Sequence, residues 1–246
     1  MAENARHVTL LGGCGGIGRA LTRRALSDGW RVTVLDLPAS LERHPPPETV
    51  MVSPIDLADE ESIRLAFDRL DPIDGFVNLA GFMTPIQSIE ETSIDEFDEA
   101  MIGNFRGAFL ASKAALPKLR RGRQPAIVNI VSGLASFVRP GYGPYGAAKA
   151  GIIHLTKTLA HEVAPGIRVN AVAPGAVDTA FLRGGTGRSD EDQATQLDVN
   201  AYVGMTPLAR MAEPDDVVGP IIFLLGPDSR FMTGQVLWVN GGGYMP

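Results

Sequence analysis

The chain is short of cysteine, aromatic residues, basic charge and long apolar runs, and each shortage excludes something. Its 246 residues include one cysteine, Cys14. A lone cysteine forms no intramolecular disulfide, so nothing implies an oxidising compartment. Lys and Arg number 22 against 28 Asp and Glu, a formal net charge of −6. That balance leaves no electrostatic footprint for nucleic acid, and the basic cluster "RRGR" from Arg120 to Arg123 reads as a solvated helix end. The longest apolar run, "IIFLL" at Ile221, is too short to span a bilayer. The opening "MAENARHVTLLGG" enters an apolar strand at once, without a secretory-leader layout. The expectation is a cytoplasmic protein with neither a membrane nor a nucleic-acid partner. His7, His44, His154 and His161 show no ligand spacing, so no metal site is expected.

What is abundant is glycine, 28 residues, and alternation. β-Branched runs ("HVTLL", "RVTVLD", "TVMVS", "IDGFVNLA", "AIVNIVS", "IRVNAVAP", "QVLWVNGG") alternate with helical stretches. The helical stretches are "IGRALTRRALSDG", "DEESIRLAFDRL", "IDEFDEAMIGNFRGAFLASKAALPKL", "YGAAKAGIIHLTKTLAHEVA" and "PDDVVGPIIFLLG". This pattern predicts an α/β fold: one doubly wound, mainly parallel, seven-stranded sheet with helices on both faces. The strands are almost continuously hydrophobic, as burial on both faces requires. No linker divides the chain, so residues 1–246 read as one domain. Two segments break the rhythm. "PASLERHPPPE" after Asp36 reads as a stiff proline-rich loop, and 179–210, polar and glycine-rich, reads as a substrate lid, with a mobile segment as the alternative.

"LLGGCGGIGRAL" follows the first strand and opens the first helix. Gly12, Gly16 and Gly18 let the backbone approach a pyrophosphate, and the helix start, around Ile17, favours its charge. Cys14 lies in the same turn, where a small residue fits. Asp36 ends the second strand, where a carboxylate accepts hydrogen bonds from both ribose hydroxyls and repels a 2′-phosphate. Two like charges about 4 Å apart cost roughly 4 kcal/mol at an effective dielectric near 20. The glycine turn itself carries no basic residue, although Arg19 follows it. The expected cofactor is therefore NAD(H). Asp56, with Leu57, follows the third strand where the adenine would lie. Asn78, Ala80 and Gly81 of "NLAG" end the fourth, at the strand ends where open sheets bind ligands.

The stretch "GYGPYGAAKAG" offers two tyrosines, Tyr142 and Tyr145, and one lysine, Lys149. Residues i and i+4 of a helix share a face, so Lys149 stands one turn beyond Tyr145. Four on from Tyr142 is Gly146. Gly143 precedes a proline, which pushes it out of the helical region, and Pro144 suits a first helical turn. Tyr142 is expected outside the helix, as a pocket wall. A free tyrosine has a pKa of about 10, too high for an efficient base near neutrality. A nearby ammonium, and the positive ring of NAD⁺, favour the phenolate. Bringing it to neutrality needs roughly 4 kcal/mol, whereas an exposed ion pair supplies about 1 kcal/mol or less. The site must therefore be shielded. Ser132 ends the fifth strand thirteen residues before Tyr145. Ser132 with His154 suggests a hydrolase, but no G-x-S-x-G turn surrounds the serine.

Taken together, "GGCGGIG", Asp36, "NLAG", "NFRG", Ser132, "YGAAK", "APGAVDT" and "TGQVLWVNGGG" resemble the short-chain dehydrogenase/reductase family in its single-domain, Rossmann-like form. The resemblance covers nearly the whole chain. It implies that Tyr145 is the general acid/base and that Ser132 orients the substrate oxygen. Lys149 would lower the tyrosine pKa and hold the nicotinamide ribose, and Asn104 would hold a relay water. Pro174, Gly175, Val177 and Thr179 would contact the carboxamide. It also implies a homodimer or homotetramer. Three positions depart from the family pattern without removing a catalytic group: Leu11 for a threonine, Leu79 for an asparagine and Asn240 for an aspartate.

The expected activity is NAD-dependent hydride transfer between a secondary alcohol and its ketone. The alternatives are an NADPH-dependent 3-oxoacyl-[acyl-carrier-protein] reductase and, from another class, a catalytically silent dinucleotide-binding sensor. Candidate pocket residues are Phe82, Leu134, Tyr142, Phe181, Leu182 and Tyr202, mostly apolar, which fits a hydrophobic alcohol or ketone. Arg139 and Arg183 are placed either at a substrate carboxylate or on the surface.

Overall fold

Seven apolar runs become strands: β1 (His7–Leu11), β2 (Arg31–Asp36), β3 (Met51–Pro54), β4 (Gly75–Asn78), β5 (Ala126–Ile130), β6 (Arg168–Pro174) and β7 (Val236–Val239). The computed structural model describes residues 5–246. The reading that no leader is present rests partly on residues 1–4, which lie outside the described residues. The strands pair in parallel in the order β3-β2-β1-β4-β5-β6-β7. The order reverses between β1 and β4, where Leu11 lies opposite Asn78. Such a switch point opens a crevice beyond the strand ends, the ordinary ligand position of this sheet type.

The helices are α1 (Gly16–Ser27), α2 (Pro38–Arg43), α3 (Glu60–Asp68), α4 (Ile94–Met101), α5 (Gly107–Leu119), α6 (Gly143–Glu162), α7 (Val199–Met205) and α8 (Pro214–Leu225). Side chains alternate across each strand, so the sheet feeds two cores. Leu21 of α1 and Ile221 of α8 pack with Leu10, Val34 and Val128 on one face. Phe67 of α3, Leu119 of α5 and Leu159 of α6 pack with Leu11, Phe76 and Ile127 on the other. Phe67 and Phe76 meet edge to face, centroids 5.7 Å apart. Each such side chain contributes about 1.5–3 kcal/mol by leaving water. Among the described residues, no helix is long and apolar enough to cross a membrane.

Three local expectations are corrected. "PASLERHPPPE" is not a plain loop. Its first half is α2, with Pro38 in the first turn, where its missing N–H costs nothing. The expected helix from Ile94 to Leu119 starts at a Ser93–Glu96 capping box but widens into a π-turn at Ile102–Arg106 between α4 and α5. The segment 179–210 is not wholly irregular. It contains a 3₁₀ turn at Ala180–Arg183 as well as α7, whose Asp198 side chain accepts from the Ala201 N–H.

Candidate active site

The crevice at the switch point is a cleft of about 450 Å³ running from the β2 end to the start of α6. At its nucleotide end, the turn after β1 comes so close to the β4 end that a Cβ on Gly12 would lie 2.8 Å from the Ala80 nitrogen. Gly12 also has φ +81, which glycine alone adopts cheaply. Gly15 caps α1 without a side-chain hydrogen bond, so the first N–H groups of that helix stay available to an anion. Leu11 has no hydroxyl to brace this turn. Asp36 supplies the brace, one carboxylate oxygen accepting from the Cys14 N–H and the other from the Leu37 N–H, both at 2.8 Å. Burial pushes the Asp36 pKa up, and those two N–H groups oppose the shift.

At the reacting end, Ser132 follows β5 and accepts from the Leu134 N–H at 3.2 Å. Its hydroxyl lies near the Tyr145 phenol and favours the phenolate. Tyr142 is the residue preceding α6, φ −116, and Pro144 lies in the first turn. Tyr145 and Lys149 fall inside that helix, each 3% exposed. The Lys149 ammonium lies 5.7 Å from the centre of the Tyr145 ring and donates to the Ile130 carbonyl at 3.2 Å. Burial raises the Tyr145 pKa above its ordinary value and brings Lys149 down to about 8. In this arrangement the cost of burying a phenolate outweighs the help of the Ser132 hydroxyl.

Asn104 lies in the π-turn, fully buried. Such bulges often re-aim a side chain at a functional site. Its Oδ1 accepts from the Phe82 N–H at 3.0 Å. A Cβ on Gly81 would lie 2.6 Å from that oxygen and 3.1 Å from Lys149 Nζ, so Asn104 and Lys149 flank the same glycine. The Asn104 Nδ2 is buried and has no protein partner, which costs about 1–3 kcal/mol unless a small polar molecule meets it.

Of the residues singled out from sequence, Gly12, Gly16, Ile17, Gly18, Asp36, Asp56, Leu57, Ala80 and Gly81 line the nucleotide half of the cleft. Ser132, Tyr145, Lys149, Pro174, Gly175, Val177 and Thr179 line the rest, with Phe82, Leu134, Tyr142, Phe181, Leu182 and Tyr202. Three do not reach the cleft wall. The Cys14 side chain turns into the core, where burial beside Asp36 pushes its thiol up to about 12. Asn78 is buried, its Oδ1 accepting from the Ala80 N–H at 3.3 Å. Asn104 stands behind Gly81. Tyr202 also has a second task, its hydroxyl accepting from the Ala176 N–H at 2.8 Å. The two arginines separate. Arg139 lines the cleft, whereas Arg183 braces its own segment through the Gln193 and Thr179 carbonyls.

Sequence reasoning missed several lining residues. Tyr244, which packs on Phe137 and Trp238, comes from the C-terminal tail. An aromatic residue just beyond "NGGG" was its only signal. Arg188 was also missed. It lies 3.9 Å over the Phe82 ring and pairs with Glu99.

A parallel, doubly wound sheet with a ligand cleft at its switch point is a Rossmann-type protein. The family model described as "Enoyl-(Acyl carrier protein) reductase" matches residues 13–244. An uncharacterized short-chain type dehydrogenase/reductase of Sinorhizobium fredii is 33% identical over 249 residues. That match covers 98% of this chain, and the chain spans 44% of the relative's length. The 3-oxoacyl-[acyl-carrier-protein] reductase of Staphylococcus aureus is 30% identical, with 94% of both chains covered. Among solved structures, ElxO with NADP bound superposes with a TM-score of 0.86 at 27% identity, covering 98% of this chain and 99% of that one. The chain belongs to the short-chain dehydrogenase/reductase family and is an oxidoreductase of that family, whose members bind a nicotinamide dinucleotide. The residues here fit such a group: a glycine turn whose one side chain, Cys14, faces the core, uncapped helix N–H groups and a carboxylate at one end of the cleft, and a phenol with an ammonium at the other.

Proposed function

We propose that this protein is an NAD(H)-dependent oxidoreductase interconverting a secondary alcohol and its ketone, with Tyr145 as general acid/base. The observation that carries this reading is the convergence of Ser132, Tyr145 and Lys149 in one shielded cleft whose far end holds Asp36. A bound oxidised nicotinamide dinucleotide supplies the hydride acceptor and a positive charge beside the phenol. Ser132 holds the substrate oxygen next to the Tyr145 hydroxyl. Tyr145 takes the hydroxyl proton in oxidation and returns it in reduction. Lys149, held by the Ile130 carbonyl, favours the phenolate and holds the nicotinamide ribose. Asn104 Nδ2, the unpartnered donor behind Gly81, fixes a water that relays the proton. Gly12, Gly16, Ile17 and Gly18 receive the pyrophosphate, Asp36 the ribose, and Asp56 with Leu57 the adenine. Phe82, Leu134, Tyr142, Phe181 and Leu182 give the substrate an apolar seat, closed over by the segment from Thr179 onwards. Phe97, Ile102 and Phe109, exposed on and between α4 and α5, support a homodimer or homotetramer.

A second reading, an NADPH-dependent 3-oxoacyl-[acyl-carrier-protein] reductase, is favoured by the Staphylococcus relative and by the NADP-bound neighbour. Asp36 separates the two, because its carboxylate faces a 2′-phosphate with the repulsion estimated above. The test pairs a cofactor comparison with one variant. The wild type should use NADH over NADPH across a panel of hydrophobic ketones. Tyr145→Phe should lose nearly all turnover while still binding NADH in a fluorescence titration. A wild type that prefers NADPH would refute the cofactor reading, and retained turnover in the variant would refute the role of Tyr145.

A further inference from the structure

The segment after Phe181 reaches well beyond the reacting end. Its Thr186 carbonyl accepts from Ser40 Oγ at 3.0 Å, and Ser40, on α2, also lies near enough to the Asp36 carboxylate to favour its charged form. Five residues on, Glu191 seats its side chain, 11% exposed, between an imidazole and a guanidinium. His44 Nε2 is 3.0 Å from one carboxylate oxygen and Arg43 Nε is 3.2 Å from the other. Arg19 of α1 adds a weaker attraction. The other acid nearby, Asp192, is 3.9 Å from Arg43 and 93% exposed, so it adds little.

This cluster adjoins Asp36 by two routes. Ser40 stands near the carboxylate and donates to the segment carrying Glu191. Arg19 donates at 2.9 Å to the carbonyl of Cys14, the residue whose N–H holds Asp36. Two guanidinium groups and an imidazole beside a ribose-binding carboxylate are the donors that a phosphate monoester recruits. In this chain the anion among them is a carboxylate of its own.

We propose that Glu191 is a specificity-determining residue: an internal carboxylate that occupies the Arg19–Arg43–His44 cluster and keeps nucleotides with a 2′-phosphate from using it. The proposal deepens the NAD(H) reading and rests on it. Asp36 repels the extra phosphate, and Glu191 occupies the donors that would compensate. Replacing Asp36 alone therefore recovers little NADPH use, because the cluster stays filled.

The test measures binding of adenosine 2′-monophosphate and 5′-monophosphate to the full chain, by calorimetry, in wild type and Glu191→Gln. The glutamine keeps the shape and drops the charge. The 2′-phosphate should bind about tenfold tighter to the variant, the effect of one partly screened unit charge at several ångströms. The 5′-phosphate should change by less than about twofold, and adding Arg43→Ala should abolish the gain. An unchanged 2′-phosphate affinity, or a parallel change for both nucleotides, would make Glu191 a fastener of the strap and overturn the proposal. A wild type that prefers the 2′-phosphate would refute the NAD(H) reading instead. Glu191 is judged only by the difference between variant and wild type.

Discussion

Replacing Lys149 by methionine should make the protein inactive and more stable. The lysine is 3% exposed, and burial alone lowers its pKa from 10.5 to about 8. A displacement of that size corresponds to about 3 kcal/mol of penalty on the charged form. Folding strips the lysine of its proton between pH 8 and 10.5, so the unfolded chain binds more protons in that window. Stability therefore rises with pH through it, and the whole penalty is present below pH 8. Methionine is close in length and uncharged, and it fills irregular space readily. It loses the hydrogen bond to the Ile130 carbonyl, which returns about 1 kcal/mol. The net expectation is roughly 2 kcal/mol of added stability at pH 7, shrinking as the pH approaches 10.5. Urea unfolding of both proteins at pH 7 and at the alkaline end of the window measures this. A variant less stable than wild type at pH 7 would refute the reasoning, as would an advantage that does not shrink with rising pH.

Two further outcomes follow from the same geometry. Tyr142→Phe should keep its turnover and at most alter substrate preference, since Tyr142 stands before α6 and only lines the cleft. A loss as severe as that of Tyr145→Phe, in the same kinetic assay, would undo the division between the two tyrosines. Gly18→Ala should cost more than about 2 kcal/mol and abolish NADH binding, because its Cβ would fall 2.6 Å from the Gly12 carbonyl oxygen and from the Gly13 Cα. Thermal unfolding with an NADH titration reads both effects, and a wild-type melting temperature would show that the turn can give way.

Much of the architecture was legible because its signals are local. β-Branched runs, helical periodicity and Gly–Pro punctuation each act over a few residues, and seven strands with alternating helices follow from them. The spacing from Tyr145 to Lys149 is likewise a helical repeat, and Pro144 marks its start. The misses have equally physical reasons. α2 hides in a proline-rich stretch because a first-turn proline resembles a loop signal. The π-turn that sets Asn104 behind Gly81 comes from packing between α4, α5 and α6, and no periodicity announces it. Cys14 and Asn78 lie in the right motifs, but their side chains turn inward, a matter of one backbone rotation.

By itself, then, the sequence determined the α/β alternation, the parallel sheet, the glycine turn closed by Asp36 and the helix that carries Tyr145 with Lys149. Each of these is written in contacts between near neighbours or in the chemistry of single residues. Tertiary structure alone decided which arginine enters the cleft, that the C-terminal Tyr244 joins its wall, and that the buried phenol lies above its ordinary pKa. It also decided that Glu191 meets His44 across 147 positions of chain. Burial and charge pairing depend on which distant segments fold together, and a linear spacing does not carry that information.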